Sequence, residues 1–133
     1  MKPVASPTPD TQEWFDRIDV GELTVAHCQN CALRFLYPRM CCPGCGSRAV
    51  GLIPVSGRGS VASWVVNHRG PGVFAEEAPY VIALVRLEEG PMLMSNILVE
   101  DPNAVSAGLP VRAEFEQRGE RRVVQFVPEV GTV

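Results

Sequence analysis

The sequence predicts a mainly β protein: a short N-terminal helix, then a small cysteine-built ribbon, then a five-stranded barrel. Three observations predict it. Two matching cysteine pairs, Cys28-Gln29-Asn30-Cys31 and Cys42-Pro43-Gly44-Cys45, stand ten residues apart. From Leu52 onward, short apolar and alternating runs are separated by Gly, Pro and acidic turns. Ahead of both, Trp14, Phe15 and Ile18 recur at helical spacing.

Residues 1–10 read as a flexible Pro-rich arm, with no apolar core of signal-peptide length. The helix is expected over 11–21. Asp10 or Thr11 stands at its start, Glu13 suits the positive end of its dipole, and Gly21 stops it. Its apolar face has to cover the ribbon, the barrel or a partner.

The ribbon is expected over 22–50. Leu23-Thr24-Val25-Ala26 leads into the first cysteine pair, and Leu33 to Tyr37 forms a second strand stopped by Pro38. In each C-x-x-C, one tight turn aims two thiolates at a single ion, and two such turns complete a tetrahedral four-sulfur site. Pro43 and Gly44 favour that turn and disfavour the helix that a thioredoxin-like redox pair would need. The regular two-residue gap assigns Cys28, Cys31, Cys42 and Cys45 as ligands and leaves Cys41 outside the set. Four thiolates suit zinc or iron, and zinc is the expected structural ion. A site closed by four protein ligands has no open position for water or substrate, which argues against metal catalysis.

The barrel is expected over 51–128, with 129–133 as a tail. A first strand runs from Leu52 to about His68, bent at Ser56-Gly57-Arg58-Gly59. The loop from Arg69 to Pro79 precedes a second strand, Tyr80 to Leu87. A turn at Glu88-Glu89-Gly90-Pro91 precedes a third, Met92 to Val99. A short helical link over 101–108 leads to a fourth strand, in which Val111, Ala113 and Phe115 face one way and Arg112, Glu114 and Glu116 the other. The fifth runs from Arg121 to Val127. Five strands, with a bent first strand and a helical link between the third and fourth, describe an OB-type Greek-key barrel.

Composition narrows the function. The 133 residues carry a net charge of −3, against the basic balance usual in nucleic-acid binders. No apolar run reaches membrane-spanning length, and the reduced cysteines point to the cytoplasm. The ribbon nevertheless holds Arg34, Arg39 and Arg48 with no acid between Cys28 and Arg48, which marks either a solvated surface or an anion contact. His27 adjoins a ligand cysteine. His68 ends the first barrel strand beside the long loop, where it could meet a ligand or a partner. Phe74, Tyr80 and Trp64 suit packing or an interface. No nucleophile–base set is advertised.

The chain resembles the rubredoxin-like zinc-ribbon plus OB-fold proteins of domain-of-unknown-function family thirty-five. The resemblance runs from Thr11 to Pro128. It rests on the Trp14-Phe15 helix ending at Gly21-Glu22-Leu23, His27-Cys28-Gln29-Asn30-Cys31, Tyr37-Pro38 and Cys42-Pro43-Gly44-Cys45-Gly46-Ser47. It continues through Val55-Ser56-Gly57-Arg58-Gly59-Ser60-Val61, Ser63-Trp64, Ala78 to Val85 and Gly108-Leu109-Pro110-Val111. Ala32, where the family often has Gly, and the extra Cys41 are departures.

The resemblance implies a non-catalytic subunit of lipid or steroid metabolism, in a hetero-oligomer with a thiolase-like enzyme or a hot-dog hydratase. The partner would be a thiolase, a CoA-thioester aldolase or lyase, or an acyltransferase, and acyl-CoA would be met through it. Contacts are expected at Trp14, Phe15, Arg34, Arg39, Arg48, His68, Phe74 and Tyr80. A single-stranded nucleic-acid-binding OB module and a free-standing acyl-CoA binder are the alternatives.

Overall fold

A computed structural model describes residues 4–129. Helix α1 spans Gln12–Asp19. Thr11 stands at its N-cap, but the hydroxyl is turned back to accept from the Thr8 N–H at 3.0 Å instead of capping a helical N–H. The other end closes as the sequence leads one to expect. Gly21 adopts φ 81°, its N–H donates to Ile18 O at 2.9 Å, and Glu22 N–H donates to Arg17 O at 2.9 Å. Only glycine takes that left-handed position without a Cβ clash.

Strands β1 (Thr24–Cys28), β2 (Arg34–Phe35) and β3 (Val50–Pro54) form an antiparallel sheet in the order β2-β1-β3. The single bent strand expected over 52–68 is therefore two strands in two sheets. Val50–Pro54 pairs with Cys28–Thr24 and closes the ribbon, and β4 (Arg58–Asn67) begins the barrel. Gly57, at φ 83°, turns the chain between them. A strand's partner lies in the tertiary fold, so the local pattern cannot say which sheet receives it.

The barrel is closed, in the order β4-β5-β6-β8-β7, with β5 at Tyr80–Leu87, β6 at Met92–Ile97, β7 at Pro110–Arg118 and β8 at Arg121–Pro128. A 3-10 turn at Pro102–Ala104 provides the expected link between the third and fourth barrel strands. This is the predicted mainly β architecture. Between β6 and β8 the closure is parallel and short, through Ile97 opposite Phe126. It is reinforced by the Ser95 hydroxyl, which donates to Val124 O at 2.9 Å. Phe126, Val81, Val85, Leu87, Leu93 and Val111 fill the interior.

Helix and ribbon join that same core. Trp14 and Ile18 are buried with Leu23 and Val25, and the Trp14 indole N–H donates to Thr24 O at 2.8 Å. Asp19 ties the helix to β8, pairing with Arg121 at 2.9 Å and accepting from Arg122 N–H at 3.0 Å. The apolar face of α1 thus covers ribbon and barrel together.

Gly59 sits where β4 passes closest to β5. A Cβ there would lie 2.4 Å from Arg86 O and 3.0 Å from Val85 Cγ1. Gly59→Ala is expected to force the strands apart and destabilise the protein by about 1–3 kcal/mol. A lower urea midpoint with an unchanged m-value would show it. An unmoved midpoint would mean that the strands separate freely.

Candidate metal centre and exposed apolar face

The two cysteine turns are built alike. Cys28 N–H donates to Leu33 O and Ala32 N–H to Cys28 O; Cys42 N–H donates to Ser47 O and Gly46 N–H to Cys42 O, all at 2.8–2.9 Å. The fourth residue after each leading cysteine is left-handed, with Gly46 at φ 79° and Ala32 at φ 65°. Glycine takes this conformation freely, whereas alanine carries a cost on the order of 1 kcal/mol. The departure at position 32 therefore leaves the knuckle intact but strained.

These turns bring the sulfurs of Cys28, Cys31, Cys42 and Cys45 within 4.8 Å of one another. Cys28 and Cys45 Sγ are 3.6 Å apart, and Cys31 and Cys42 Sγ 3.5 Å. A zinc–sulfur bond of about 2.3 Å puts the corners of a tetrahedron about 3.8 Å apart, so the set fits a four-thiolate ion. Backbone N–H groups support it: Cys31 N–H donates to Cys28 Sγ at 3.4 Å and Gly44 N–H to Cys42 Sγ at 3.3 Å. Asn30 Nδ2 donates to Cys45 Sγ at 3.5 Å. That bond, ahead of a backbone donor at Ser47, brings the Cys45 thiol down from 9.0 to about 6. Burial opposes ionisation at Cys42, but the backbone donors at Cys45 and Gly44 outweigh it and lower that thiol too. At Cys31 a backbone donor at Leu33 is outweighed by the neighbouring thiols and burial, and the group is pushed up to about 12. Cys41 is exposed and lies outside the cluster.

The other residues singled out by the sequence do not converge on one site. Trp14 is 3% exposed and packs edge-on against Phe15 and Tyr37. This corrects its assignment as a partner contact, because the indole is consumed by the chain's own core. Phe15 is half-buried and lines a cleft of about 370 Å³ with Tyr37 and Met94. Arg34, Arg39 and Arg48 are exposed and pair with no carboxylate among the described residues. His68 is exposed just beyond β4. The loop that follows carries a 3-10 turn at Gly72–Glu76 and reaches across to the far end of β7. There the Arg118 guanidinium stands 5.9 Å over the Phe74 ring, and Phe74 tilts against Tyr80 with centroids 6.4 Å apart.

One surface escaped the sequence reading. Val81, Ala83, Val85 and Leu87 point into the barrel, so Ile82 and Leu84 face outward, as Met92 and Met94 do on β6. Leu84 lies opposite Met94, and Ile82 opposite Val65 of β4. Met94 is 61% and Val65 59% exposed, with Leu84 and Met92 beside them. Tyr37 of the ribbon adjoins the patch, its hydroxyl accepting from Met94 N–H at 3.4 Å. The missed signal was the run Tyr80-Val81-Ile82-Ala83-Leu84-Val85, apolar on both faces where a strand with one solvated face alternates. Contiguous exposed apolar surface marks an interaction site.

Comparison with known proteins adds identity to this geometry. Residues 15–51 match the model described as the ChsH2 rubredoxin-like zinc ribbon domain, and residues 52–116 the ChsH2 C-terminal OB-fold domain. A solved chain described as "Ltp2-ChsH2(DUF35) aldolase" superposes with a TM-score of 0.88 at 32% identity, covering 96% of this chain and all of that one. A Pyrococcus furiosus protein named "DUF35 domain-containing scaffold protein" is 35% identical over 69% of this chain and 71% of its own length. A Thermomonospora curvata protein named "Probable enoyl-CoA hydratase alpha subunit" is 34% identical over 84% of this chain, which spans only 34% of that relative. No helix among the described residues is long and apolar enough to cross a membrane.

Proposed function

Because the chain belongs to the ChsH2 family of zinc-ribbon plus OB-fold proteins, the DUF35 proteins, we propose that it is a non-catalytic subunit of a cytoplasmic acyl-CoA enzyme. It braces a thiolase-like partner and helps to shape that partner's CoA-thioester site. Cys28, Cys31, Cys42 and Cys45 hold a structural zinc. The observation that carries this reading is the end-to-end likeness to the DUF35 chain of an aldolase. The partner then performs the carbon–carbon chemistry.

The outward face of β5 and β6 is the docking surface in this reading. It is sheet-backed, apolar and continuous from Tyr37 of the ribbon to Val65 of the barrel. Arg34, Arg39 and Arg48 add a basic rim that suits an acidic partner surface or the phosphates of CoA. A hot-dog hydratase is the second reading for the partner, favoured by the relative named as a hydratase subunit.

Affinity capture of this chain from its own host, at low salt, tests the proposal. A thiolase-fold protein recovered in fixed stoichiometry is the expected result. A hydratase would favour the second reading. Recovery of the chain alone, under conditions where it stays folded, would count against the subunit role.

A further inference from the structure

Beyond any subunit role, we propose that the barrel carries a binding cleft for a small uncharged molecule with an apolar body and one carbonyl group, received by the side chain of Gln125; the cleft shares Ile82 and Met94 with the β5–β6 face.

The cleft lies on the outer face of the barrel, between β5, β6 and β8 and the loop that bridges to Arg118. Its volume is about 630 Å³, within the usual range for small-molecule sites. Phe74 and Tyr80 wall one side, and Ile82, Met94 and Leu98 supply aliphatic surface. Gln125 lies on β8, between the core residues Val124 and Phe126, so its side chain points out of the barrel and into this cleft.

Gln125 is the informative residue. It is 4% exposed, what exposure it has opens on the cleft, and no side-chain hydrogen bond to another described residue holds its carboxamide. Other amides and hydroxyls nearby are engaged. Asn96 Nδ2 donates to Val81 O at 3.2 Å, Ser95 Oγ to Val124 O at 2.9 Å, and the Tyr80 hydroxyl accepts from Asn67 Nδ2 at 3.1 Å. The amide is not sealed in the interior but opens on the cleft, so whatever fills the cleft, water or ligand, is what it meets. Gln125 Nε2 brings two N–H donors to the cleft, and a ligand carbonyl is their natural acceptor.

Charge sets the rest of the ligand class. Three charged side chains line the cleft: Arg118, Glu77 and Glu116, for a sum of one positive and two negative, or −1. The cation is already engaged, since Arg118 Nε donates to Glu116 Oε1 at 2.7 Å and its guanidinium covers Phe74. An anion would enter a field of its own sign, and a polyphosphate such as CoA would be repelled more strongly. An uncharged carbonyl compound meets the apolar walls and the amide without that penalty.

The test uses the intact chain, labelled with nitrogen-15, and two probes with the same cage: neutral 2-adamantanone and anionic adamantane-1-carboxylate. The ketone is expected to shift the Gln125 side-chain amide signals saturably, together with backbone signals of Phe74 and Ile97. The carboxylate should bind about tenfold more weakly or not at all. Gln125→Leu should weaken ketone binding by about tenfold, the effect of one hydrogen bond of ordinary strength, while the variant's spectrum stays dispersed. The proposal falls if the ketone leaves Gln125 unmoved, if shifts gather only around Val65, Leu84 and Met92, or if the carboxylate binds as well as the ketone. An unchanged ketone affinity in folded Gln125→Leu would overturn it as well.

Discussion

Replacing Cys42 with serine is expected to abolish metal retention, unfold residues 22–54 and eliminate partner capture together. Structural zinc contributes on the order of 10 kcal/mol to the folding of such a module, far more than a three-stranded sheet this small can supply from packing. The sheet is held at one end by two knuckles whose sulfurs meet within 4.8 Å. Loss would spread to α1, because Trp14 hydrogen-bonds to Thr24 and packs on Tyr37. Zinc content per chain, near-UV circular dichroism and capture of the partner should fall together, and a strong chelator should reproduce the effect. Cys41→Ser is the control, with an exposed thiol outside the cluster, and should retain one metal per chain. Retention of zinc by Cys42→Ser and its loss from Cys41→Ser would reverse the ligand assignment. A red protein containing iron would keep the site and change the ion.

Acid should do the same by another route. The ligands must be thiolates, and protons compete with the metal for each sulfur. Without metal, the Cys45 thiol is held below its ordinary value, chiefly by the Asn30 amide, so its stabilising contribution is full only above the ordinary thiol value and declines as pH falls. Zinc release, read with a colorimetric chelator, should therefore rise as pH is lowered into the acid range, and release independent of pH would show that the thiolates do not hold the ion.

Met94→Asp and Leu84→Asp are expected to weaken partner capture by at least about 30-fold each, the effect of losing a central interface contact of about 2 kcal/mol. Both side chains face solvent in the isolated chain and lie opposite each other on neighbouring strands. A carboxylate there costs the free protein little, so its thermal midpoint should hold within a few degrees. Arg34→Glu with Arg39→Glu should act differently, slowing association and reducing its salt dependence. Full capture by the two aspartate variants would remove the β5–β6 face from the interface. A collapsed thermal midpoint would show that the face is part of the fold instead.

Much of the architecture was legible because its signals are local. The Schellman turn at Gly21, the two C-x-x-C knuckles and the alternation of Val111, Ala113 and Phe115 depend on residues within a few positions of each other. The strands at 80–87 and 121–128 could likewise be placed from their own patterns and flanking turns. The reading failed where a partner lies far along the chain. Leu52 to Pro54 were expected in the first barrel strand because they continue an extended run, but they belong to Val50–Pro54, whose partner strand begins at Thr24. Trp14 looked available to a partner because helical spacing reveals an apolar face without revealing what covers it. The cleft around Gln125 had no sequence signal at all, since a lone glutamine in a strand ordinarily faces water.

The sequence by itself determined the order of helix, ribbon and barrel and the four sulfurs that converge, because turn chemistry, side-chain periodicity and ligand spacing act over short range. Only the tertiary structure decided that the strand at Val50–Pro54 completes the ribbon instead of opening the barrel, that helix, ribbon and barrel share one core, and that β5 and β6 leave an apolar face outward. It also decided that the loop after His68 crosses to Arg118 and encloses Gln125. These depend on which distant segments pack together, and that choice is made by burial summed over the whole chain rather than by any one stretch of it.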